Sequence, residues 1–483
     1  MKRHDLVIVG GGTAGLVSGM IAGWAGARVA LVEAERTGGD CLWTGCVPSK
    51  SLIAAAELAQ RIREGGALGV SAGEPEIDFR RVMAHVRSSR DLIEPHDSPD
   101  RLREAGVEYV QGHARYTGPG RLEVDGAEFG WRTSILATGS RPALPPIPGL
   151  AESEPLTSDT IWDLEELPRR LLVLGGGPIG CELGQALSRL GSDVTIVERE
   201  DRLLPRADPD VSELLARTLQ SEGVDLWLDT QAESIRAGAG GAVTLEAVSP
   251  QGRLGLEFDR VLSATGRRPS SSDIGLEELG VESQPDGRVK TDARLRTTVP
   301  GLFAAGDVTG VMPHTHVAAY HAQIATVNAL FGLRRRVDYR SVPHVTFTDP
   351  EVASVGLSER EARARWGSKA TVIRHEHADL DRAITAARTT GFAKLVGDAR
   401  GRLVGATVVG HSAGESIGEM AVRISGRQKI DRISSDVHAY PTFSEAAARA
   451  ADEYRREQFQ GAAVTGLTRP VLGLLRATGR RGR

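Results

Sequence analysis

Short runs of apolar, mostly β-branched residues alternate with helical patterns through much of the chain. Residues 5–9 (DLVIV) form one such run, a helical stretch extends to Ala27, and residues 28–32 (RVALV) form the next run. The same order returns around 171–174 (LLVL) and 193–197 (DVTIV). Strands that alternate with helices in this way are typical of βαβ units in a parallel sheet. The pattern therefore predicts an α/β protein with two copies of one unit.

Each predicted unit carries a glycine-rich turn directly after its first strand. The turns are residues 10–15 (GGGTAG) and 175–180 (GGGPIG), and an acid, Glu33 or Glu198, follows 23 positions after the first glycine of each. Such glycines form a tight turn and let the backbone approach a pyrophosphate, while the acid binds ribose hydroxyls. One glycine fingerprint could be a turn in an unrelated α/β protein. Two complete copies with equal spacing favour two dinucleotide sites.

Further turns and a change of pattern divide the remainder of the chain. Two similar turns follow apolar strands at 136–142 (LATGSRP) and 263–269 (SATGRRP), and residues 300–308 (PGLFAAGDV) end in an acid. After about Arg340, strands and helices continue without a glycine fingerprint, which predicts a separate α+β domain. From residue 461 onward the chain has five arginines and no acids. We expect a frayed, solvated tail there, with contact to an anionic surface as the alternative.

Composition excludes several classes of protein. The 483 residues are enough for about three domains. A net charge of −4 gives no reason to expect a nucleic-acid partner. No apolar run is long enough to span a bilayer, and residues 1–5 lead into a strand without the pattern of a signal peptide. We therefore expect a cytoplasmic protein.

Two of the chain's three cysteines lie close together beside the first glycine loop. Residues 38–50 (GGDCLWTGCVPSK) contain Cys41 and Cys46, five positions apart. The pair could be two buried, inert thiols, but its position next to a dinucleotide site favours a redox-active disulfide. Reactive thiolates need positive charge or a helix N-terminus nearby. Pro48 fits a helix that begins near Cys46, and Lys50 could supply the charge.

Taken in order, the two glycine loops, the Cys-x4-Cys pair and the later turns resemble the flavoprotein disulfide reductases, which include dihydrolipoamide dehydrogenase, glutathione reductase and mercuric reductase. The resemblance covers about residues 5–460 and implies an α/β fold of two Rossmann-like domains, for FAD and NAD(P), followed by an α+β dimerisation domain. It also implies a homodimer whose active site is completed by the partner subunit's dimerisation domain. The expected boundaries are 1–148 and 266–340 for the FAD domain, 149–265 for the NAD(P) domain, 341–460 for the dimerisation domain and 461–483 for the basic tail.

The resemblance also implies which residues hold the cofactors. A carboxylate at Glu198 favours free ribose hydroxyls over a 2′-phosphate, so NADH is expected over NADPH, although Arg199 or Arg202 could receive a phosphate. Lys50 is expected to pair with Glu182 beside the nicotinamide. The FAD residues would be Gly10, Gly12, Gly15, Glu33, Lys50, Ala114, Thr138, Gly139 and Asp307, and the NAD(P) residues Gly175, Gly177, Gly180, Glu182, Glu198 and Gly266.

By the same resemblance, hydride passes from the nicotinamide to the flavin, and the reduced flavin attacks the disulfide at Cys46. Cys41 is then the outer thiol that meets the acceptor. Cys181 is expected to be core packing. A histidine cluster at 314, 316 and 321 could suggest a metal, but a helix along the flavin is the better interpretation. Trp43 stands where family members carry a small or amide residue, and could either line the approach to the disulfide or pack beneath it.

The residue opposite the outer cysteine departs from the dithiol-using members. Their His-Pro-Thr-x-x-Glu motif, from the partner subunit, supplies a base and a glutamate that orients it. Here residues 438–445 read HAYPTFSE, so Glu445 remains, Tyr440 replaces the base and His438 lies two positions earlier. The pKa of tyrosine is about 10 against about 6.5 for histidine, so reaching the proton-free form that can act as a base near neutral pH costs roughly 5 kcal/mol more for tyrosine. Efficient lipoamide or glutathione chemistry is therefore in doubt.

Mercuric reductases also carry a tyrosine in this region, but this chain has neither their C-terminal cysteine pair nor an N-terminal Cys-x-x-Cys domain. The sequence thus predicts an FAD-dependent NAD(P)H oxidoreductase that cycles a Cys41–Cys46 disulfide. Its acceptor would be a metal ion, a quinone-like compound or an activated disulfide. One alternative is a dihydrolipoamide dehydrogenase in which His438 reaches the cysteines. Another is a redox-sensing or complex-bound flavoprotein without sustained turnover.

Overall fold

The computed structural model describes residues 2–238, 242–460 and 462–479, which form two compact units. The first unit comprises Met1–Pro205 and Ala216–Asp338, and the second comprises Arg206–Leu215 and Tyr339–Arg483. Strands and helices are mixed in both units, so the predicted α/β fold class is confirmed.

The first unit contains both glycine loops. Its elements are β1 (Lys2–Val9), α1 (Thr13–Trp24), β2 (Val29–Glu33), α2 (Gly39–Trp43), α3 (Cys46–Glu64), α4 (Phe79–Asp97), α5 (Pro99–Glu104), β3 (Val107–Gln111), β4 (Ala114–Gly118), β5 (Arg121–Val124), β6 (Ala127–Leu136), β7 (Ser140–Pro142), β8 (Arg170–Leu174), α6 (Pro178–Arg189), β9 (Asp193–Val197), the C-terminal part of α7 (Pro209–Ser221), β10 (Asp225–Trp227), β11 (Gln231–Ala237), β12 (Val243–Ser249), β13 (Gly252–Phe258), β14 (Arg260–Ser263), β15 (Arg267–Pro269), β16 (Leu302–Ala304) and α8 (Thr315–Phe331).

The second unit contains the remaining elements together with the first part of α7. They are β17 (Pro343–Thr346), β18 (Glu351–Gly356), α9 (Glu359–Trp366), β19 (Thr371–Glu376), α10 (Asp381–Thr385), β20 (Phe392–Gly397), β21 (Leu403–Gly410), α11 (Ala413–Ser425), α12 (Ile430–Ser435), α13 (Glu445–Gln460) and α14 (Ala462–Gly479).

A seven-stranded sheet is the frame of the first unit. Its order is β3-β2-β1-β6-β5-β4, and β16 pairs with β6. Strands β1, β2, β3, β6 and β16 run parallel, whereas β4 and β5 form an antiparallel edge. Leu6 and Ile8 of β1 pack in one core with Ala22 of α1 and Ala325 of α8. Because ligands bind beyond the carboxyl ends of parallel strands, this packing places the glycine turn after β1 at the binding edge.

A second parallel sheet repeats the arrangement around the second glycine turn. Its order is β10-β9-β8-β14, and a separate antiparallel sheet has the order β11-β12-β13. The units β1–α1–β2 and β8–α6–β9 both place a helix directly after a glycine loop and end in parallel pairing of their two strands. The repeat that the sequence predicts is therefore present.

The second unit is built on a five-stranded antiparallel sheet, β17-β18-β21-β20-β19, covered by α11 and α13. Lys394 of β20 is buried, and its ammonium lies 3.2 Å from Asp208, 2.8 Å from Asp210 and 3.2 Å from Glu359. Two of these carboxylates belong to the segment 206–215. This ionic cluster explains why that segment groups with the second unit, since a buried ammonium needs opposite charge.

The chain beyond residue 460 differs from the sequence expectation. Residues 462–479 form the helix α14, where a frayed tail is expected. The side chains described in this helix are exposed, so the expected solvation is found there. Residues 461 and 480–483 lie outside the described part of the chain.

Candidate active site

The two predicted redox cysteines come together at the junction of α2 and α3. Cys41 lies in α2, and Cys46 is the first residue of α3, as Pro48 predicts. The backbone N–H groups of Thr44 and Gly45 donate to the carbonyl of Asp40 at 3.0 and 2.5 Å, which closes the loop between the cysteines. Both thiols are in the free, unbridged form and are hydrogen-bonded to each other. The pair is thus arranged as a vicinal dithiol.

The surroundings of the dithiol make its two thiols unequal. The hydrogen bond from Cys41, with help from the Thr315 hydroxyl and the Lys50 charge, lowers the pKa of Cys46 to about 6, although burial opposes this. The hydrogen bond to Cys46, together with burial, raises the pKa of Cys41 far above its usual value. Thr315 Oγ1 lies 3.3 Å from Cys46 Sγ at the start of α8. Cys46 is therefore the thiol suited to hold the negative charge.

Lys50 and Glu182 form an ion pair between α3 and α6. Lys50 Nζ donates to Glu182 Oε2 at 2.8 Å, and the glutamate side chain is 9% exposed. The pair joins the helix that begins at Cys46 to the helix that follows the second glycine loop. The ion pair expected from the family resemblance is confirmed.

The first glycine loop forms a cradle at the N-terminus of α1. Gly10 has φ +108°, which favours glycine, and a side chain on Gly15 would overlap the carbonyl oxygen of Gly10. Beside Gly12 a methyl group would meet only the Cα of Gly39, at 3.7 Å. Glu33 accepts from the Gly11 N–H at 2.5 Å, which brings the acid to the loop. The open backbone beside a helix N-terminus fits a dinucleotide pyrophosphate.

The second glycine loop repeats this geometry closely. Gly175 has φ +107°, and a side chain on Gly180 would overlap the Gly175 carbonyl oxygen. Apart from the two chain neighbours of Gly177, no atom of the described residues lies within 4 Å of the position a methyl group would take on this glycine. Glu198 accepts from the Gly176 N–H at 2.6 Å, as Glu33 does in the first copy. The predicted NAD(P) residues of this loop are thus brought together in a second cradle.

The remaining predicted cofactor residues lie at strand ends. Asp307 belongs to a 3-10 turn, Gly306–Thr309, and accepts from the Ser140 hydroxyl at 2.9 Å. Burial raises the pKa of this aspartate. Thr138 donates to the carbonyl of Ser270 at 2.6 Å. Gly139 and Gly266 follow β6 and β14 with positive φ, and Ala114 begins β4.

In the second unit, Tyr440 does not present a free hydroxyl. Its Oη donates to Asp381 Oδ2 at 2.8 Å, and this bond raises the pKa of Tyr440. The tyrosine side chain is otherwise 64% exposed. Because the raised pKa keeps the phenol protonated, Tyr440 offers even less of the proton-free form near neutral pH than a free tyrosine does.

His438 and Glu445 are both held by neighbours on the same unit. The imidazole of His438 lies 3.0 Å from Glu419 Oε1 through Nε2, and 3.1 Å from the Asp436 carbonyl through Nδ1. Both ring nitrogens are therefore engaged within the unit. Glu445 is buried and pairs with Arg449 at 2.7 Å, while its Oε2 has no hydrogen-bond partner in the described part of the chain.

Family models match almost all of this architecture. The model for pyridine nucleotide-disulphide oxidoreductases matches residues 4–322, and the model for the dimerisation domain of the same proteins matches residues 342–451. The chain belongs to the pyridine nucleotide-disulphide oxidoreductases.

Relatives of this oxidoreductase carry two different names. It is 35% identical over 469 residues to a dihydrolipoyl dehydrogenase of Thermus scotoductus, an alignment that covers 95% of this chain and 98% of the relative. It is 33% identical over 445 residues to a mercuric reductase of Lysinibacillus sphaericus, covering 92% and 81%. Sequence similarity alone therefore leaves the acceptor open.

Solved structures show the same fold. A Cu(II) complex of the HOCl-induced flavoprotein disulfide reductase RclA from Escherichia coli matches with a TM-score of 0.82 and 26% identity, covering 94% of this chain and all of that one. LpdA from Mycobacterium tuberculosis matches with a TM-score of 0.84 and 29% identity, covering 94% and 100%.

Membership of the family makes the chain an FAD-dependent enzyme that acts on pyridine nucleotides, and its dimerisation domain points to a homodimer. Among residues 2–238, 242–460 and 462–479, no helix is long and apolar enough to cross a membrane.

In the oxidoreductase, Trp43 packs against the loop that precedes α2. The indole N–H donates to the Thr37 carbonyl at 2.7 Å, and the Arg36 guanidinium lies 3.8 Å from the ring centroid. The Trp43 carbonyl accepts from Arg90 at 3.2 Å. The tryptophan therefore ties α2 to the loop before it, and the motif's central residue has a packing role.

A network around Arg267 was not predicted from the sequence. Arg267 forms a short ion pair with Asp40, next to Cys41, and donates to the Ser140 hydroxyl at 2.8 Å and the Ser158 hydroxyl at 3.1 Å. Ser140 in turn donates to Asp307, so the network joins the cysteine loop to the Asp307 turn. Burial raises the pKa of Asp40 to about 6, against the opposing charge of Arg267. The one related signal in the sequence is the similarity of the turns at 136–142 and 263–269, which contain Ser140 and Arg267.

The histidine cluster and the third cysteine lie where the sequence places them. His316 and His321 are on α8, directly after the Asp307 turn, and His314 precedes the helix. His321 is buried and accepts from the Gly306 N–H at 3.2 Å. The described residues contain no cluster of three or more side chains suited to a metal ion. Cys181 is fully buried in α6, which confirms its role in core packing.

Proposed function

We propose that this oxidoreductase passes electrons from NADH to the Cys41–Cys46 disulfide and from the dithiol to a thiophilic, reducible metal ion such as Hg(II) or Cu(II). The observation that carries the proposal is Tyr440, which stands in place of a catalytic base and donates its hydroxyl hydrogen bond to Asp381. The mercuric reductase relatives and the Cu(II) complex of RclA support an acceptor of this class.

The chain's own residues have distinct parts in the proposed reaction. FAD, when bound, supplies the hydride chemistry between the nicotinamide and the disulfide. The two glycine loops hold the two dinucleotides. The Lys50–Glu182 ion pair joins α3, which begins at Cys46, to α6, which follows the second glycine loop. Cys46 holds the thiolate charge of the reduced enzyme, and Cys41 keeps the proton until the acceptor arrives.

Metal binding removes the need for a base opposite Cys41. The hydride equivalent of NADH converts the disulfide to one thiolate, at Cys46, and one thiol, at Cys41, and NAD⁺ is released. The reduced pair then gives two electrons to one Hg(II) or to two Cu(II), the one thiol proton leaves to solvent, and the disulfide re-forms. A cation displaces the thiol protons when thiolates bind it, so no imidazole is needed to accept them. A disulfide acceptor has no such charge and depends on a base.

We propose NADH as the preferred donor. Glu198 lies at the second cradle as a carboxylate, which disfavours a 2′-phosphate. The two arginines that could offset it have acidic partners: Arg199 lies 3.2 Å from Glu200, and Arg202 lies 2.8 Å from Asp201. We also propose that the partner subunit supplies the segment 440–445 to the dithiol, as the family resemblance implies.

An anaerobic half-reaction tests the acceptor. The enzyme is reduced with NADH and mixed with Hg(II), Cu(II), a quinone, lipoamide or glutathione disulfide, and reoxidation is followed by flavin absorbance in stopped flow. We expect the metal ions to reoxidise it fastest and NADH consumption to continue with excess metal. Rapid reoxidation by lipoamide alone would contradict the proposal. Consumption of a single equivalent of NADH would favour a redox sensor.

Substitutions at residue 440 separate metal from disulfide chemistry. Tyr440→Phe should leave metal reduction within about threefold, because the phenol supplies no base. Tyr440→His should raise lipoamide reduction by about 100-fold, because the free Oε2 of Glu445 can orient an imidazole. Cys46→Ser is the matched inactive control. A large loss of metal reduction in Tyr440→Phe would show that the hydroxyl takes part.

The second candidate is a dihydrolipoyl dehydrogenase, which the 35% identity to the Thermus scotoductus enzyme favours. It requires His438 to leave Glu419 and Asp436 and act as the base. His438→Gln would then abolish lipoamide turnover, whereas the metal-ion proposal expects the metal reduction rate to be unchanged.

A further inference from the structure

Helix α14 differs in charge from the rest of the molecule. The chain as a whole has a net charge of −4, but its residues from 461 onward include five arginines and no acids. Two of these, Arg469 and Arg476, lie in α14 and are exposed. They are seven residues apart, which is close to two helical turns, so they lie on the same side of the helix. The described charged side chains on this side of α14 are therefore all cationic.

Apolar side chains occupy another side of the same helix. Val471, Leu474 and Leu475 are spaced by three and four residues, so they share a face. Their side chains are 53%, 68% and 59% exposed. An exposed group of large aliphatic side chains on one helix marks an interaction surface rather than ordinary solvent-facing structure. The combination of this face with the arginines makes α14 a basic amphipathic helix.

The sequence of α14 is a poor helix former in water. Gly466 and Gly473 each lower helix stability by about 1 kcal/mol relative to alanine, and Pro470 removes a backbone donor within the helix. Such a helix depends on a surface that covers its apolar side. The dimerisation model matches only residues 342–451, so α14 lies beyond that module.

We propose that α14 lies flat on an anionic lipid bilayer. The apolar face would enter the boundary between headgroups and acyl chains, and the arginines would contact lipid phosphates. Charge complementarity favours this occupant over a second copy of the chain, because two copies of the segment would bring like charges together. No described helix can span a membrane, which fits a helix that lies on its surface.

Vesicle flotation of the FAD-loaded, full-length enzyme tests the proposal. The protein is mixed with vesicles of phosphatidylcholine, or of phosphatidylcholine and phosphatidylglycerol in equal parts, at low and high salt. We expect binding to the anionic vesicles that is severalfold stronger than to the neutral ones and that weakens with salt. Arg469→Gln with Arg476→Gln should reduce affinity by about tenfold, and Val471→Asp with Leu475→Asp should reduce it at least as much.

A matched variant controls for net charge. Arg400→Gln with Arg402→Gln removes two exposed arginines from the turn before β21, and should leave vesicle binding unchanged. Flavin content, measured for every variant, reports correct folding. Equal binding to neutral vesicles, or no binding at all, would overturn the proposal. So would a smaller molecular mass in solution for Val471→Asp with Leu475→Asp, because the apolar face would then belong to a contact between copies.

Discussion

The two redox cysteines differ because each has its own hydrogen-bonding environment. Cys46 accepts a hydrogen bond from Cys41, and its Sγ lies 3.3 Å from the Thr315 hydroxyl. Together with the positive charge of Lys50, these contacts lower its pKa to about 6. Cys41 keeps its proton and donates a hydrogen bond to that thiolate, so the pKa of Cys41 is raised. The dithiol therefore carries one negative charge near neutral pH, on the sulfur that begins α3.

Serine and alanine at position 41 should affect the Cys46 thiolate differently. In Cys41→Ser a hydroxyl still donates to Cys46, so the thiolate should persist above about pH 6. In Cys41→Ala the main cause of the lowered pKa is gone, and the midpoint should rise toward the usual value of about 8.5. The long-wavelength absorbance of a thiolate beside FAD, titrated against pH, measures both. Equal midpoints in the two variants would rule out this hydrogen bond as the cause.

At the scale of elements, the two βαβ units have the same construction but different expected ligands. In each, a positive-φ glycine opens the turn and the last glycine of the loop packs against its carbonyl oxygen. Substitution of equivalent residues in the two βαβ units should therefore disturb the backbone in the same way. The cofactor whose binding is affected should differ between them.

Gly15→Ala and Gly180→Ala form such a pair. In either variant the new methyl group overlaps a carbonyl oxygen and moves the helix from the turn, at a cost of about 1–3 kcal/mol. Gly15→Ala should be purified with little FAD, whereas Gly180→Ala should keep FAD and show a KM for NADH raised about tenfold. Gly418→Ala in α11 is the control, because no described residue outside its own helix turn lies within 4 Å of the new methyl group. FAD loss in Gly180→Ala would argue against separate sites.

At the scale of the whole molecule, both units contain a buried histidine that burial keeps neutral. Burial lowers the pKa to about 4 for His321 in the first unit and for His377 in the second. His377 is fully buried, and neither ring nitrogen has a hydrogen-bond partner in the described structure. In the unfolded chain these histidines take up protons below about pH 6.5. Stability is therefore lost as the pH falls from about 6.5 toward 4.

His377→Leu should reduce the acid sensitivity of the second unit. Protonation of this one residue in the unfolded chain lowers the free energy of unfolding by about 2 kcal/mol at pH 5 relative to neutral pH. The variant should therefore lose less thermal stability between pH 7 and pH 5 than the wild type, as measured by scanning calorimetry. His96→Leu, at an exposed site, should behave like the wild type. Parallel stability curves for all three proteins would contradict the assignment.

The sequence pattern predicted features that are local; among the contacts that join distant segments only the Lys50–Glu182 pair was expected, and that from the family resemblance. The glycine loops, their acids and the start of α3 at Cys46 follow from residue spacing within one βαβ unit or one turn. The ion pair of Arg267 with Asp40 joins positions 227 apart, and Tyr440 meets Asp381 across 59 positions. No periodicity encodes such pairings, because they depend on how strands and loops pack. The fold class was therefore predictable, whereas the environment of the active-site residues was not.

The carboxylates at the two cradles constrain how this enzyme can change its coenzyme. Besides its bond to Gly176, Glu198 accepts from the Glu200 N–H at 2.8 Å, and Glu33 accepts from the Glu35 N–H at 2.7 Å in the first copy. Each acid thus accepts hydrogen bonds within its own loop, in addition to the ribose-binding role proposed for it. A substitution of Glu198 that admits a 2′-phosphate would also leave the backbone N–H groups of Gly176 and Glu200 without their acceptor. A single mutational step toward NADPH would therefore cost stability, and evolution or engineering would have to rebuild the loop at the same time.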